Sequence, residues 1–403
     1  MKIWFDSFIF ITLWHKSSFL LYRWKNNMRI VYVTDTFTIC GGIERVLTDK
    51  MNSLSKLFGY DVYLLTIYQG SHSFPFTLKE RIHHVDIGVR LNQQYEYRGL
   101  SRLFKRRQLS KTIKSRLKSV INDLQPDVIV SVKLDFVGVL LSVKGHIPMV
   151  VESHTLCHAE KLEEAGIFRR IHFWKIKRDI CRVETLVALT DGDAKDWRRL
   201  NPNVYVIPNI VHLNEDDSYS NCLSKSVIFV GRLSKQKNIG ELLDIWKRVY
   251  LRNTDWRLHV YGEIGDIEND VYDRLLSASD YGVIIHEPIK ECMIEEFKKH
   301  SILVLTSRFE PFGLVLPEAM SCGLPVVSYD SPYGPASIIS DGVDGFLIKN
   351  NDQDTFVEHL CQLMEDEQLR LKMGKMAIIS SHRYTKEIIM PIWKQLFEKL
   401  IKK

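Results

Sequence analysis

Two carboxylates, Glu310 and Glu318, stand with seven residues between them in Glu310-Pro311-Phe312-Gly313-Leu314-Val315-Leu316-Pro317-Glu318, which continues as Ala319-Met320-Ser321-Cys322-Gly323-Leu324-Pro325-Val326-Val327. The pair flanks a predicted turn and helix start. The first acid then sits in a loop and the second near the mouth of a helix, whose unpaired backbone N–H groups favour anions. Carboxylates accept hydrogen bonds from sugar or ribose hydroxyls, and the backbone N–H groups of Phe312, Gly313 and Leu314 can donate to phosphate oxygens. One segment of this kind can grip both ends of a phosphorylated, hydroxyl-rich ligand. The plainer alternative is a strand, a turn and a helix whose acids only cap.

A basic loop supplies the complementary charge. Val230-Gly231-Arg232-Leu233-Ser234-Lys235-Gln236-Lys237-Asn238 directly follows a predicted strand and opens a helix. Arg232 and Lys237 there flank a helix N-terminus, and two fixed cations beside unpaired N–H groups suit a diphosphate; a solvated basic loop is the alternative. The loop lacks the P-loop pattern, which disfavours ATP hydrolysis. Gly41-Gly42 ends the loop after the first predicted strand, and glycine lets backbone approach phosphate closely, although a glycine pair is also an ordinary turn. His154, in Val151-Glu152-Ser153-His154-Thr155, follows another strand with Glu152 placed to orient it; a histidine hydrogen-bonded in a loop is the alternative. Asp191-Gly192-Asp193 precedes a helical pattern and reads as helix capping, not as a metal-binding DxD. Asp341-Gly342-Val343-Asp344-Gly345 reads as turn chemistry, not as a calcium loop.

These groups need a scaffold that gathers strand-end loops. Short apolar runs alternate with helical patterns, the signature of parallel α/β architecture. Strands are expected at Met28–Thr34, Asp61–Thr66, Asp127–Ser131, Met149–Glu152, Leu186–Leu189 and Val204–Ile207, then at Ser226–Val230, Leu258–Tyr261, Val283–His286, Ile302–Leu305 and Pro325–Ser328. Helices are expected from the glycine pair to about Leu57 and over Asn238–Tyr250. Two Rossmann-like halves follow from this pattern, and in such sheets ligands bind at the carboxyl ends of strands. The halves meet at a hinge at Pro208-Asn209, giving an N-terminal domain over 28–208 and a C-terminal domain over 209–384. The tail 385–403 carries Ile388, Ile389, Ile392, Trp393, Leu396, Phe397 and Leu400 at helical spacing, with Thr385 as N-cap and Pro391 as a site for a kink.

A chain of 403 residues exceeds what one core usually supports, so two domains are expected. With 45% hydrophobic and 26% charged residues it is an ordinary globular composition. The net charge of +6 suggests anionic partners without naming them. Seven cysteines show neither a CxxC pair nor zinc-ligand spacing, which points to reduced thiols in a cytoplasmic protein and away from structural zinc. Residues 1–27 hold two apolar aromatic pieces, neither long enough to span a membrane. They fit an interfacial anchor, an ordered extension, or a start site upstream of the native one, and the last is preferred because Met28 opens the first core strand. Between Arg98 and Lys118 nine basic residues and no acid are interleaved with Leu100, Leu103, Phe104, Leu109, Ile113 and Leu117. On a helix this is a cationic amphipathic face suited to an anionic membrane surface, the alternative being a solvated face over a core stripe. No nucleic-acid motif accompanies it, and nucleic acid is not expected as a partner.

From Met28 onward the chain resembles glycosyltransferase family 4, the group 1 glycosyltransferase-like retaining enzymes of the GT-B fold. Four features carry the resemblance: Gly41-Gly42 after the first strand, Gly231-Arg232-Leu233 with Lys237, the Glu310–Glu318 segment with its continuation to Val327, and the crossing Val206-Ile207-Pro208-Asn209. The resemblance implies two facing Rossmann-like domains, 28–208 acceptor-side and 209–384 nucleotide-sugar-binding, with a C-terminal helix crossing back to the N-terminal one. It implies a hexosyltransferase-like enzyme that moves a sugar, with retention, from a nucleotide diphosphate sugar to a hydroxyl acceptor, a glycan or lipid-linked intermediate of cell-surface polysaccharide synthesis. By the same resemblance His154, Arg232, Lys237 and Glu310 are the catalytic residues. Arg232 and Lys237 hold the donor diphosphate, Glu310 meets the transferred sugar and Glu318 the ribose. Gly41, Gly42, Phe312, Gly313 and Leu314 line the donor. The base is met largely by backbone near Tyr261-Gly262 and His286-Glu287-Pro288. No metal or other cofactor is expected, and the setting is cytoplasmic, at the inner face of the membrane through 98–118. Two rivals share these residues: a non-hydrolysing nucleotide-sugar epimerase, and an inactive binding subunit of a glycosyltransferase complex.

Overall fold

The computed structural model describes residues 28–79, 81–159, 166–289 and 292–402; the expectation for residues 1–27 lies outside them. Thirteen strands form two sheets among the described residues. The first contains β1 (Arg29–Thr34), β2 (Asp61–Thr66), β3 (Ile82–Asp86), β4 (Val128–Ser131), β5 (Met149–Glu152), β6 (Thr185–Ala188) and β7 (Val204–Val206) in the order β3-β2-β1-β4-β5-β6-β7. The second contains β8 (Ser226–Val230), β9 (Arg257–Tyr261), β10 (Val283–His286), β11 (Ile302–Leu305), β12 (Val326–Tyr329) and β13 (Gly345–Ile348) in the order β10-β9-β8-β11-β12-β13. The pairings are parallel, with Ile30 opposite both Val62 and Val128, and Val227 opposite both Leu258 and Ile302.

Parallel strands covered by helices on both faces must be apolar on both faces. Ile30, Val31, Tyr32 and Val33 of β1 and Val227, Ile228 and Phe229 of β8 are accordingly fully buried. That continuous burial made the central strands legible. The two strands the sequence reading missed are at sheet edges: β3, Ile-His-His-Val-Asp, has one buried residue, and β13 begins at Gly345, the last residue of what read as a turn.

The strand order reverses at β1 in the first sheet and at β8 in the second. Crevices for ligands open outside the carboxyl ends of strands at such reversals. The loop after β1 carries Gly41-Gly42 and the loop after β8 carries Arg232 and Lys237, so topology puts both sequence-flagged loops at switch points. The glycine loop runs into the helix Gly42–Phe58, closed by Gly59 in the left-handed conformation at φ 68°.

The chain packs as two compact units. Among the described residues one comprises 28–152, 179–185 and 394–402, the other 153–178 and 186–393. The C-terminal helix Lys386–Ile401 therefore begins in the second unit and ends in the first, where Lys394 Nζ lies 5.3 Å from the Phe58 ring centroid.

Candidate functional site

In the second unit, neighbouring strand ends are laced together by backbone hydrogen bonds. Gly231 N donates to Tyr261 O at 3.0 Å, Leu233 N to Glu263 O at 2.8 Å, and Gly265 N back to Leu233 O at 2.8 Å. A Cβ on Gly262 would lie 2.0 Å from Gly231 O, so the loop after β9 reaches the basic loop only because residue 262 is glycine. On the other side Arg308 N donates to Gln236 O at 2.8 Å and Gln236 Nε2 to Phe309 O at 3.0 Å. Asn238 takes the left-handed conformation at φ 57° and starts the helix Ile239–Arg252.

These ties bring Lys237 and Glu310 into contact. Lys237 Nζ donates to Glu310 Oε2 at 2.5 Å, with side chains 15% and 10% exposed, and Ser307 Oγ donates to the same oxygen at 3.2 Å. Arg232 is exposed at the rim of its loop, its stem running beside Gly265. Gly313, at φ 89°, makes the turn that follows Glu310, and its missing Cβ spares a 3.0 Å approach to Glu310 Cγ. Phe312 is buried edge-on against Tyr384 at 5.3 Å, so only its backbone can face a ligand. Leu314 is half-buried, and Glu318 is half-buried in the first turn of the short helix Val315–Ser321.

A further loop brackets Glu310. Glu310 N donates to Pro332 O at 2.8 Å, while Tyr333 N and Gly334 N donate to Glu310 O at 3.0 and 2.7 Å. A Cβ on Gly334 would stand 2.0 Å from Phe312 O. Sequence reading named Gly262 only as part of a segment that meets the base, not for its seat against the basic loop, and it missed Ser307 and Gly334, whose local signals were a polar residue just past β11 and a glycine before Pro335.

Near Tyr261 and His286 the structure assembles an aromatic and imidazole cluster. Tyr261 stacks on His286 at 4.2 Å and donates its hydroxyl to Glu296 at 2.5 Å. His286 and His259 share a 2.9 Å hydrogen bond, and His300 is edge-on to His259 at 4.6 Å with Nδ1 2.9 Å from Ser226 Oγ. Burial, reinforced by His259, lowers the His300 imidazole to about 4, and burial also lowers His259 and His286.

His154 is half-buried in the loop after β5. Glu152 ends β5, its carboxylate fully buried and bonded to Lys50 of the helix Gly42–Phe58, inside the first unit. A buried carboxylate needs a charged partner, and Lys50 meets that need. Capping at Asp191-Gly192-Asp193 is corrected in detail: Thr190 is the N-cap and accepts from Asp193 N at 3.2 Å. Asp193 accepts from Cys157 N at 2.9 Å and Trp197 Nε1 at 2.8 Å, and burial raises its carboxyl to about 6. Asp341 and Asp344 serve their own turn, accepting from Leu347 N and Ser340 N.

In the first unit, Gly41 is the N-cap of its helix, with extended backbone, and a Cβ on it would come 2.8 Å from Glu44 Oε2. Gly42 is exposed. The preceding loop is clamped by buried Gln69, whose amide accepts from Phe37 N at 2.9 Å and donates to Phe37 O at 3.1 Å.

Two doubly wound parallel sheets with glycine-bearing and basic loops at their switch points, and a terminal helix that returns to the first unit, define an α/β glycosyltransferase of the GT-B fold. Solved structures agree. A TarM mutant from S. aureus in complex with fondaparinux, alpha-GlcNAc-glycerol and UDP matches with a TM-score of 0.75 at 13% identity, covering 92% of this chain and 99% of that one. Anabaena HepE in complex with UDP-glucose matches at 0.71 and 18%, covering 92% and 99%. The family described as Glycosyl transferases group 1 matches residues 220–379, and Glycosyltransferase Family 4 matches residues 40–215. The chain belongs to the group 1, family 4 glycosyltransferases. Among curated relatives it is 27% identical over 382 residues to the amylovoran biosynthesis glycosyltransferase AmsD of Erwinia amylovora, covering 91% of this chain and 99% of that protein.

Proposed function

We propose that this glycosyltransferase moves a sugar from a nucleotide diphosphate donor to a hydroxyl of a glycan or lipid-linked acceptor, with retained anomeric configuration, in the synthesis of a cell-surface polysaccharide. The observation that carries the reading is the Lys237–Glu310 contact at the joined ends of β8 and β11. An ammonium has three donors, so Lys237 can bond Glu310 and still meet diphosphate oxygens, placing sugar-hydroxyl and phosphate recognition side by side. Arg232 adds a second cation, Glu318 takes the ribose hydroxyls, and the backbone of Phe312-Gly313-Leu314 lines the donor. His154 contributes from the loop after β5, in the same unit. The two cations stabilise the charge that grows on the departing diphosphate, and no divalent metal is required by this scheme. The UDP and UDP-glucose named with TarM and HepE, and the amylovoran biosynthesis named with AmsD, support the reading.

A panel of nucleotide sugars screened by thermal shift, followed by transfer assays and NMR of the anomeric proton in the product, tests the reading. A stabilising donor and a product of the donor's own anomeric configuration are expected; an inverted product removes retention. An epimer formed from donor alone would instead favour an epimerase.

Membrane docking belongs to the same proposal. In the helix Gly99–Leu124 the apolar residues divide: Leu109, Ile113, Leu117 and Ile121 are buried, while Leu100, Leu103 and Phe104 are 74%, 60% and 73% exposed. Arg102 and Lys105 lie over Tyr95 and Tyr97 at 4.5 and 5.6 Å. Exposed aliphatic and aromatic groups among cations suit the headgroup region of an anionic bilayer. Among the described residues no helix is long and apolar enough to cross a membrane. Flotation with anionic liposomes, lost in Phe104→Asp, is expected; equal behaviour with neutral and anionic liposomes rejects the docking.

A further inference from the structure

The helix Asp191–Trp197 presents two carboxylates, Asp193 and Asp196, three residues apart and therefore on one face. Each holds a different loop of the second unit. Asp193 Oδ1 accepts the backbone N–H of Cys157 at 2.9 Å, fixing the loop that carries His154. Asp196 Oδ2 accepts the hydroxyl of Tyr333 at 2.6 Å. The Tyr333 ring also lies flush on Gly192, where a Cβ would come 2.7 Å from its Cδ1. Tyr333 is in turn the residue whose backbone pairs with Glu310.

We propose that Tyr333 and Asp196 form a latch that sets the position of Glu310 relative to His154, making Tyr333 a positioning residue for sugar transfer. Three observations converge on it. Asp196 is 8% exposed, and a buried carboxylate is retained at a cost unless its hydrogen bonds are used. Tyr333 is pinned at both ends, by backbone to Glu310 and by side chain to Asp196, so a shift at one end is transmitted to the other. Gly192, the middle of the triplet that imitates a metal motif, is the flat seat the ring requires. Asp196 also faces Arg199, 3.2 Å from its Oδ1, and His158, 3.9 Å from its Oδ2.

The latch rests on the proposed roles of Glu310 and His154, and its test separates the two. Tyr333→Phe removes only the hydroxyl, Gly192→Ala pushes on the ring while favouring the helix, and Asp196→Asn keeps an acceptor that Asp196→Ala lacks. With a misplacement of about 1 Å able to cost about 100-fold, kcat is expected to fall about 10- to 100-fold in Tyr333→Phe, Gly192→Ala and Asp196→Ala, with donor KM and thermal midpoint near wild type. Asp196→Asn should recover part of the loss. Hydrogen exchange in residues 306–316 should quicken in the same variants, a readout independent of turnover. Wild-type kcat and exchange in Tyr333→Phe overturn the latch, as does a kcat loss that follows the thermal midpoint. Lys237→Ala, run alongside, separates the failures: if it is impaired and Tyr333→Phe is not, only the latch falls, and if neither is impaired the donor site falls with it.

Discussion

Lys237→Ala removes a cation from a site in which it does two things. In the proposed reaction it stabilises charge on the departing diphosphate, and loss of one such preorganised donor costs about 100- to 1000-fold in turnover, or about 3–4 kcal/mol. The structure adds a cost to folding. Glu310 is 8% exposed and bonded to Lys237, so the variant leaves a buried carboxylate with Ser307 Oγ as the remaining side-chain donor. An unsatisfied charged group of this kind costs about 1–3 kcal/mol, so the substitution is not neutral for the fold. The two effects separate in a second variant. Adding Glu310→Gln to Lys237→Ala removes the uncompensated charge and should restore most of the lost stability in urea unfolding, while turnover stays low. Steady-state transfer kinetics on wild type and the two variants provide the assay. Turnover that recovers together with stability in the double variant refutes the electrophilic role, as does wild-type turnover in Lys237→Ala.

Glu318→Ala should weaken donor binding by about 10- to 100-fold, the worth of a charge-assisted hydrogen bond, with kcat less affected; an unchanged donor KM contradicts ribose recognition. Glu152→Ala leaves Lys50 buried without that carboxylate and should lower unfolding free energy by about 3–5 kcal/mol, whereas pairing Glu152→Leu with Lys50→Met should recover much of it, as read by urea denaturation. His300 titrates at about 4 in the fold against 6.5 ordinarily, so the unfolded chain takes its proton first as pH drops. Stability is then undiminished at neutral pH and falls between pH 6.5 and 4, by at most about 3 kcal/mol from this group. His300→Gln should flatten the acid limb of a plot of urea midpoint against pH, and an unaltered limb would sink the assignment.

Residues alone determined the architecture where burial is two-sided. The uninterrupted apolar runs at Ile30–Val33, Val227–Phe229 and Ile302–Leu305 admit few roles other than central parallel strands, and the alternation with helices then locates the ligand-facing loops. The edge strand β3 escaped because its exposed residues dilute the pattern, and β13 because its start at Gly345 read as a turn, whereas the edges β7 and β10 were legible. The charge-bearing candidates Arg232, Lys237, Glu310 and Glu318 were likewise visible, because cations and carboxylates at strand ends state their chemistry by type. What sequence could not decide was who meets whom. The partnership of Lys50 with Glu152 joins positions 102 residues apart, and that of Asp196 with Tyr333 joins positions 137 apart. Nothing in local spacing encodes either. They arise because sheet order brings distant strand ends and helices together, and, for Tyr333, because Gly192 leaves out the Cβ that would push its ring away. The sequence named the chemistry of the loops; tertiary packing chose which loops touch, and so which carboxylates bind a partner, which brace a neighbour and which remain for a ligand.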